Sequence, residues 1–155
     1  MDIPANYQPR AYQLPFLVNM DRGKKRACLV WHRRSGKTKT IFNFTIKKAF
    51  ERVGQYFHCF PEYNQGRKML WDGIDEERVL DKHCPPQIRK AVNKQEMKID
   101  LINGSLWQII GADNYDAVVG SNPVGIIFDE FSISEKMKKA WDFFMPILVE
   151  NRRVS

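Results

Sequence analysis

Two short stretches carry residue types that can work together chemically. The first is Arg33-Arg34-Ser35-Gly36-Lys37-Thr38, which follows the apolar run Ala27 to Trp31 and precedes a helical pattern from Thr40 onward. The second is Asp129-Glu130, at the end of the apolar run Val124 to Phe128. A strand, a tight polar loop and a helix N-terminus form a phosphate cradle, because loop N–H groups and the positive end of the helix dipole face the anion. Lys37 would reach the β- and γ-phosphates of ATP, and the Thr38 hydroxyl would ligate Mg²⁺. Arg33, Arg34, Ser35 and Gly36 would line the cradle, and Arg33 would also neutralise transition-state charge. Asp129 would support the Mg²⁺ shell, and Glu130 would orient and polarise the attacking water.

Each half has a plainer reading when taken alone. The full phosphate-loop pattern opens on Gly, whereas Trp31 stands at that position. A bare Gly-Lys-Thr also suits an ordinary basic helix start. The two halves gain weight as a pair, with another strand between them in the chain.

These residues need elements to position them. Residues 1 to 9 read as an extended arm around Pro4 and Pro9, followed by a short helix from Arg10 to Met20. On that helix Gln13 is open to two readings, a surface glutamine or an amide that donates and accepts at an adenine edge. Asp21 to Lys25 forms a turn, Ala27 to Trp31 a buried strand, and Lys37 to about Arg52 a helix closed near Gly54. Gln55 to Phe60 reads as a second buried strand ended by Pro61. The segment after it carries Tyr63, Arg67 and Lys68, which suit stacking and phosphate contacts to DNA but equally suit a helix cap with solvated charges.

Met69 to Asp81 reads as helical, Cys84-Pro85-Pro86 breaks it, and Gln87 to Asn93 adds a further helical turn or two. Glu96 to Ile102 and Ser105 to Gly111 alternate around Asn103-Gly104, a strong hairpin signal. Ser134 to Phe144 reads as a helix that Pro146-Ile147-Leu148 ends. His58 reads as a core or strand histidine, and His32 and His83 lack partners at metal-binding spacing.

At 155 residues with 43% hydrophobic content, the chain is long enough for one domain with a sizeable core. No apolar run approaches the ~20 residues of a membrane span, and Met1 to Asn6 does not resemble a signal peptide. Cys28, Cys59 and Cys84 are too widely spaced for a zinc motif or a disulfide framework, so a reducing cytosol is expected. A net charge of +7 favours polyanionic partners without locating their path.

The loop, with Arg33 four residues before Lys37 and its first glycine lost, resembles the variant phosphate loop of viral genome-packaging ATPases. An ordered series of stretches extends that resemblance over nearly the whole chain. It runs through Pro9 to Gln13, Trp31 to Thr38, Phe60 to Gly66, Asn103 to Ser105, Gly111 to Asp116, Val119-Gly120, Asn122 to Gly125, Ala140 to Asp142, Pro146 to Leu148 and Glu150-Asn151. The chain resembles the N-terminal ATPase domain of a tailed-phage or prophage terminase large subunit. The resemblance implies an α/β P-loop nucleoside triphosphatase, with a central, mostly parallel sheet flanked by helices and an inserted β-hairpin. It implies ATP and Mg²⁺ as cofactors and double-stranded DNA as the translocated partner. A portal, a small terminase subunit and a homo-oligomeric ring complete the implied setting, in the host cytoplasm. A helicase-type translocase, or a non-catalytic remnant that binds nucleotide or DNA, are the rival readings.

Terminases carry a further core strand, a coupling motif and a nuclease domain, so residues 1–155 are expected to be a truncated ATPase domain without a DNA-cleaving site. Val119 stands where many terminases carry Arg before the glycine, and Asp129 where many close relatives have Ser.

Overall fold

Strand β1 (Gln55–Phe60) is buried along nearly its whole length and has a parallel neighbour on each side. These neighbours are β4 (Leu106–Gly111) and β5 (Pro123–Phe128). Beyond β4, the strands β3 (Lys98–Leu101) and β2 (Arg89–Asn93) continue the sheet antiparallel, giving the order β2-β3-β4-β1-β5. The computed structural model describes residues 7–32, 34–72, 83–118, 120–131 and 135–153. The architecture is the expected α/β one: a parallel core, an antiparallel hairpin and flanking helices. No helix among the described residues is long and apolar enough to cross a membrane.

Alternation along β1 sends Tyr56, His58 and Phe60 to one face and Phe57 and Cys59 to the other. On the first face lies α2 (Lys37–Glu51), whose Phe42, Ile46 and Ala49 form one helical stripe packed with Tyr56, Phe60, Trp107 and Ile109. On the second face lies α4 (Glu135–Arg153), whose Met137, Ala140 and Phe144 pack with Phe57, Cys59 and Ile110. Burial in this layer pushes the Cys59 thiol up to about 12, which keeps it protonated and inert. A short 3-10 turn (Ala11–Gln13) and α1 (Leu14–Asp21) precede the loop region. The short α3 (Tyr63–Gly66) runs on into a π-helical stretch, Arg67–Trp71.

The hairpin turn forms where Asn103-Gly104 is expected. Gly104 sits at φ +94°, a conformation that L side chains rarely adopt. The turn also serves α2: Asn103 Nδ2 and Ser105 Oγ both donate to the Ala49 carbonyl, at 2.7 and 2.6 Å. These bonds satisfy a carbonyl that the helix end would otherwise leave unpaired.

Three expectations are corrected. Ala27 to Trp31 is not a buried strand: residues 24–30 have no regular structure, Cys28 is exposed, and Val30 is 90% exposed. Hydropathy makes a run fit for a sheet, but a strand exists only through lateral pairing, and this run has none among the described residues. Instead Trp31 packs edge-on against Tyr12 and Phe16 of the N-terminal segment. Gln87 to Asn93 is a 3-10 turn (Pro86–Ile88) followed by strand β2, because β3 offers it an edge to pair with. Finally, α4 does not stop at Pro146. Proline costs the helix a hydrogen bond, but Pro146 is exposed and Ile147 continues the stripe of Met137, Ala140 and Phe144 onto the sheet. Most of the helix expected over Met69 to Asp81 lies outside the described residues.

Candidate functional site

The polar loop leads into α2 through two left-handed residues, Arg34 at φ 58° and Gly36 at φ 77°. Gly36 is the N-cap, no side chain caps the helix, and no acidic residue lies in its first turn. The first N–H groups of α2 are therefore available to an anion at the positive end of the helix dipole. Lys37 Nζ donates to the Trp31 carbonyl at 3.0 Å, which folds the lysine across the base of the loop. Ser35 is 1% exposed, and its Oγ has no partner among the described residues.

The Thr38 hydroxyl, on the first turn of α2, donates to Asp129 Oδ2 at 2.9 Å, across 91 residues of sequence. The Asp129 N–H bonds the Cys59 carbonyl at 2.9 Å and so extends the β1–β5 ladder one step beyond Phe128. That carboxylate is only 5% exposed. Its Oδ1 accepts from the Glu130 N–H at 2.9 Å, and its Oδ2 also accepts from His58 Nε2 at 3.0 Å. Burial by itself raises the Asp129 pKa. The donors from His58, Thr38 and the Glu130 main chain outweigh burial and hold it below the ordinary carboxylate value. Glu130 is exposed and sits at φ 55°, a strained position for a residue with a side chain.

The N-terminal segment clamps the loop from outside. Gln13 is 3% exposed, and its Nε2 donates to the Ser35 carbonyl at 2.9 Å. Its Oε1 accepts from the Tyr7 hydroxyl at 2.6 Å and from the Arg10 N–H at 3.0 Å. The Tyr12 hydroxyl donates to the same Ser35 carbonyl at 2.6 Å. Gln13 thus stands beside the loop, buried rather than on the surface, with its amide engaged by protein groups.

The structure brings together Gln13, Arg34, Ser35, Gly36, Lys37, Thr38, Asp129 and Glu130. Arg33 lies outside the described residues. Tyr63, Arg67 and Lys68 belong to a different region. The Tyr63 hydroxyl donates to the Gln95 carbonyl, and Arg67 donates to the carbonyls of Lys94 and Gln95. Both side chains pin the turn between β2 and β3, while Lys68 is exposed. Sequence reasoning missed the part of His58. The available signal was a polar residue in the middle of a strand otherwise fit for burial, on the face that receives α2.

Among the described residues no group of three or more His, Cys, Asp or Glu side chains could hold a metal ion by itself. Mg²⁺ keeps several waters and is usually held by one or two protein oxygens plus substrate phosphates. Thr38 and Asp129 match that modest donor set. The uncapped helix, the unpartnered Ser35 Oγ and Lys37 suit a phosphate chain beside it.

No protein-family model matches the chain, and no curated protein matches it. Among solved structures the chain is similar to the large terminase ATPase domain of Thermus phage P74-26. The TM-score is 0.65 at 18% identity, over 95% of this chain and 62% of that one. At this identity the likeness shows the fold, an α/β architecture like that of a terminase ATPase domain. The chain spans less than two thirds of that neighbour's length.

Proposed function

We propose that this chain is an ATP-binding and hydrolysing motor domain of a viral DNA-packaging terminase, which couples hydrolysis to translocation of double-stranded DNA. One observation carries the reading: the Thr38 hydroxyl on the loop's helix meets the Asp129 carboxylate at the end of β5, 2.9 Å away. Two sequence elements, each ambiguous by itself, converge there on one point.

Lys37 and the α2 N–H groups would bind the phosphates. Thr38 and Asp129 would hold Mg²⁺, which when bound neutralises phosphate charge. Glu130, exposed just beyond Asp129, would orient and polarise the attacking water. An adenine edge would have to share Gln13 with Ser35, whose carbonyl already takes one of its two amide hydrogens. In this setting the partners are DNA, a portal, a small terminase subunit and further copies in a ring, in the host cytoplasm. Lys68, with Tyr63 and Arg67 behind it, is the proposed DNA contact.

Calorimetry with ATP·Mg²⁺ tests the site. Lys37→Ala should lose tight binding, because it removes the point charge on the phosphates; equal affinity for variant and wild type would sink the proposal. Steady-state hydrolysis with and without double-stranded DNA then separates a motor from a remnant that binds without turnover.

A further inference from the structure

His58 is fully buried on the central strand, and Nε2, its one polar contact among the described residues, lies 3.0 Å from Asp129 Oδ2. A carboxylate oxygen can only accept, so Nε2 carries the hydrogen and donates it. The other nitrogen, Nδ1, is buried without a partner. An imidazole that merely filled the core would bury two polar nitrogens where a phenyl ring would bury none, at a cost in desolvation. The ring plane is set by packing: it stacks on Phe60 at 4.9 Å and 15°, and meets Trp107 edge-on at 6.4 Å and 77°. The register pairs His58 with Ile127 of β5, two residues before Asp129.

Two side-chain donors therefore hold Oδ2, and they differ in what anchors them. Thr38 belongs to the helix that carries the phosphate loop. His58 belongs to the strand paired on both sides, with an aromatic wall fixing its orientation.

We propose that His58 is a positioning residue of the nucleotide site: it orients the Asp129 carboxylate from the sheet side, toward Thr38 and the Mg²⁺ that the two would share. The role rests on the nucleotide reading of the same site. Hydrogen-bond partners of ligating carboxylates typically govern metal affinity by about ten- to a hundredfold.

The test is calorimetric affinity for a non-hydrolysable ATP analogue with and without Mg²⁺. His58→Phe keeps an aromatic ring and removes the donor. His58→Gln restores an amide hydrogen near the Nε2 position. His58→Asn keeps a polar group too short to reach Oδ2, and it replaces His58→Phe should that variant not fold. In the wild type Mg²⁺ should strengthen analogue binding. In His58→Phe or His58→Asn that Mg²⁺ enhancement should fall about tenfold or more, with metal-free affinity unchanged, and His58→Gln should recover most of it. On an Asp129→Asn background, His58→Phe should have no further effect on the enhancement. Equal enhancement in wild type, His58→Phe and His58→Asn would overturn the positioning role while leaving the nucleotide site intact. Failure of the wild type itself to bind the analogue would overturn the nucleotide reading, and the positioning role with it.

Discussion

At the scale of single residues, Asp129 and Glu130 are neighbours in sequence held in opposite circumstances. Asp129 is buried and bonded through both oxygens, whereas Glu130 is exposed on a left-handed backbone. That contrast suits one carboxylate that organises and one that reacts. Glu130→Gln keeps the shape and removes the charge, so hydrolysis should fall by about a hundredfold or more, the scale of general-base catalysis. ATP affinity should hold or rise, since a repulsive carboxylate near the phosphates is gone; hydrolysis at the wild-type rate would remove Glu130 from the mechanism. Asp129 leaves a trace in stability as well. Its folded pKa is depressed from 3.8, so its hydrogen bonds contribute stability that is fully present above that value and is lost as pH falls through the lower, folded value. The stability difference between wild type and Asp129→Asn should therefore be constant near neutrality and shrink below about pH 4. Urea midpoints of the two proteins measured from pH 7 to pH 3 check this, and curves that stay parallel would refute it.

At the scale of elements, the loop is held between a helix that presents it and an N-terminal segment that clamps it. The far end of that helix is tied to the hairpin. Ser105 is buried, its Oγ donating to the Ala49 carbonyl at 2.6 Å and accepting from the Gly54 N–H at 3.2 Å. Ser105→Ala strips both groups of that partner, although Asn103 still reaches Ala49. The expected loss is about 1–3 kcal/mol, the cost of buried groups left short of a hydrogen bond. Chemical denaturation would show it, while nucleotide affinity should stay unchanged because the site lies at the other end of α2. A parallel loss of nucleotide binding would contradict this division of labour.

At the scale of the whole molecule, the net charge is +7, from 25 lysines and arginines against 18 acidic residues, a balance that favours phosphate contacts over base readout. DNA binding by this chain should be weak, indifferent to sequence, and steeply dependent on salt. The logarithm of affinity should fall linearly with the logarithm of salt concentration, with a slope near −0.9 per phosphate neutralised. A titration across salt concentrations with two unrelated duplexes decides it. A preference for one duplex that survives high salt would mean base readout, which no element of this fold has been assigned.

Local patterning was enough to set out much of this molecule. β1 appears at the residues where Gln55 to Phe60 read as a strand, α2 starts at Lys37, and the hairpin turns at Asn103-Gly104. These elements carry their cause within themselves, as period-two or helical spacing, a helix start, or a turn that needs positive φ. Partnership between distant segments was not legible. Ala27 to Trp31 has the composition of a strand and lacks a lateral neighbour among the described residues, while Arg89 to Asn93 has little of that composition and is a strand because β3 lies beside it. Gln13 and Tyr63 each had a ligand-binding reading beside a plain one, and only folding decided that Gln13 Nε2 meets the Ser35 carbonyl and the Tyr63 hydroxyl the Gln95 carbonyl. His58 read as a bland core histidine, and only the β1–β5 register sets its ring against Asp129. The sequence by itself determined which residues could do phosphate chemistry and which segments could be helix or strand, because those depend on side-chain type and spacing. Tertiary structure alone decided which of them meet, because a hydrogen bond across 71 or 91 residues depends on where the chain returns.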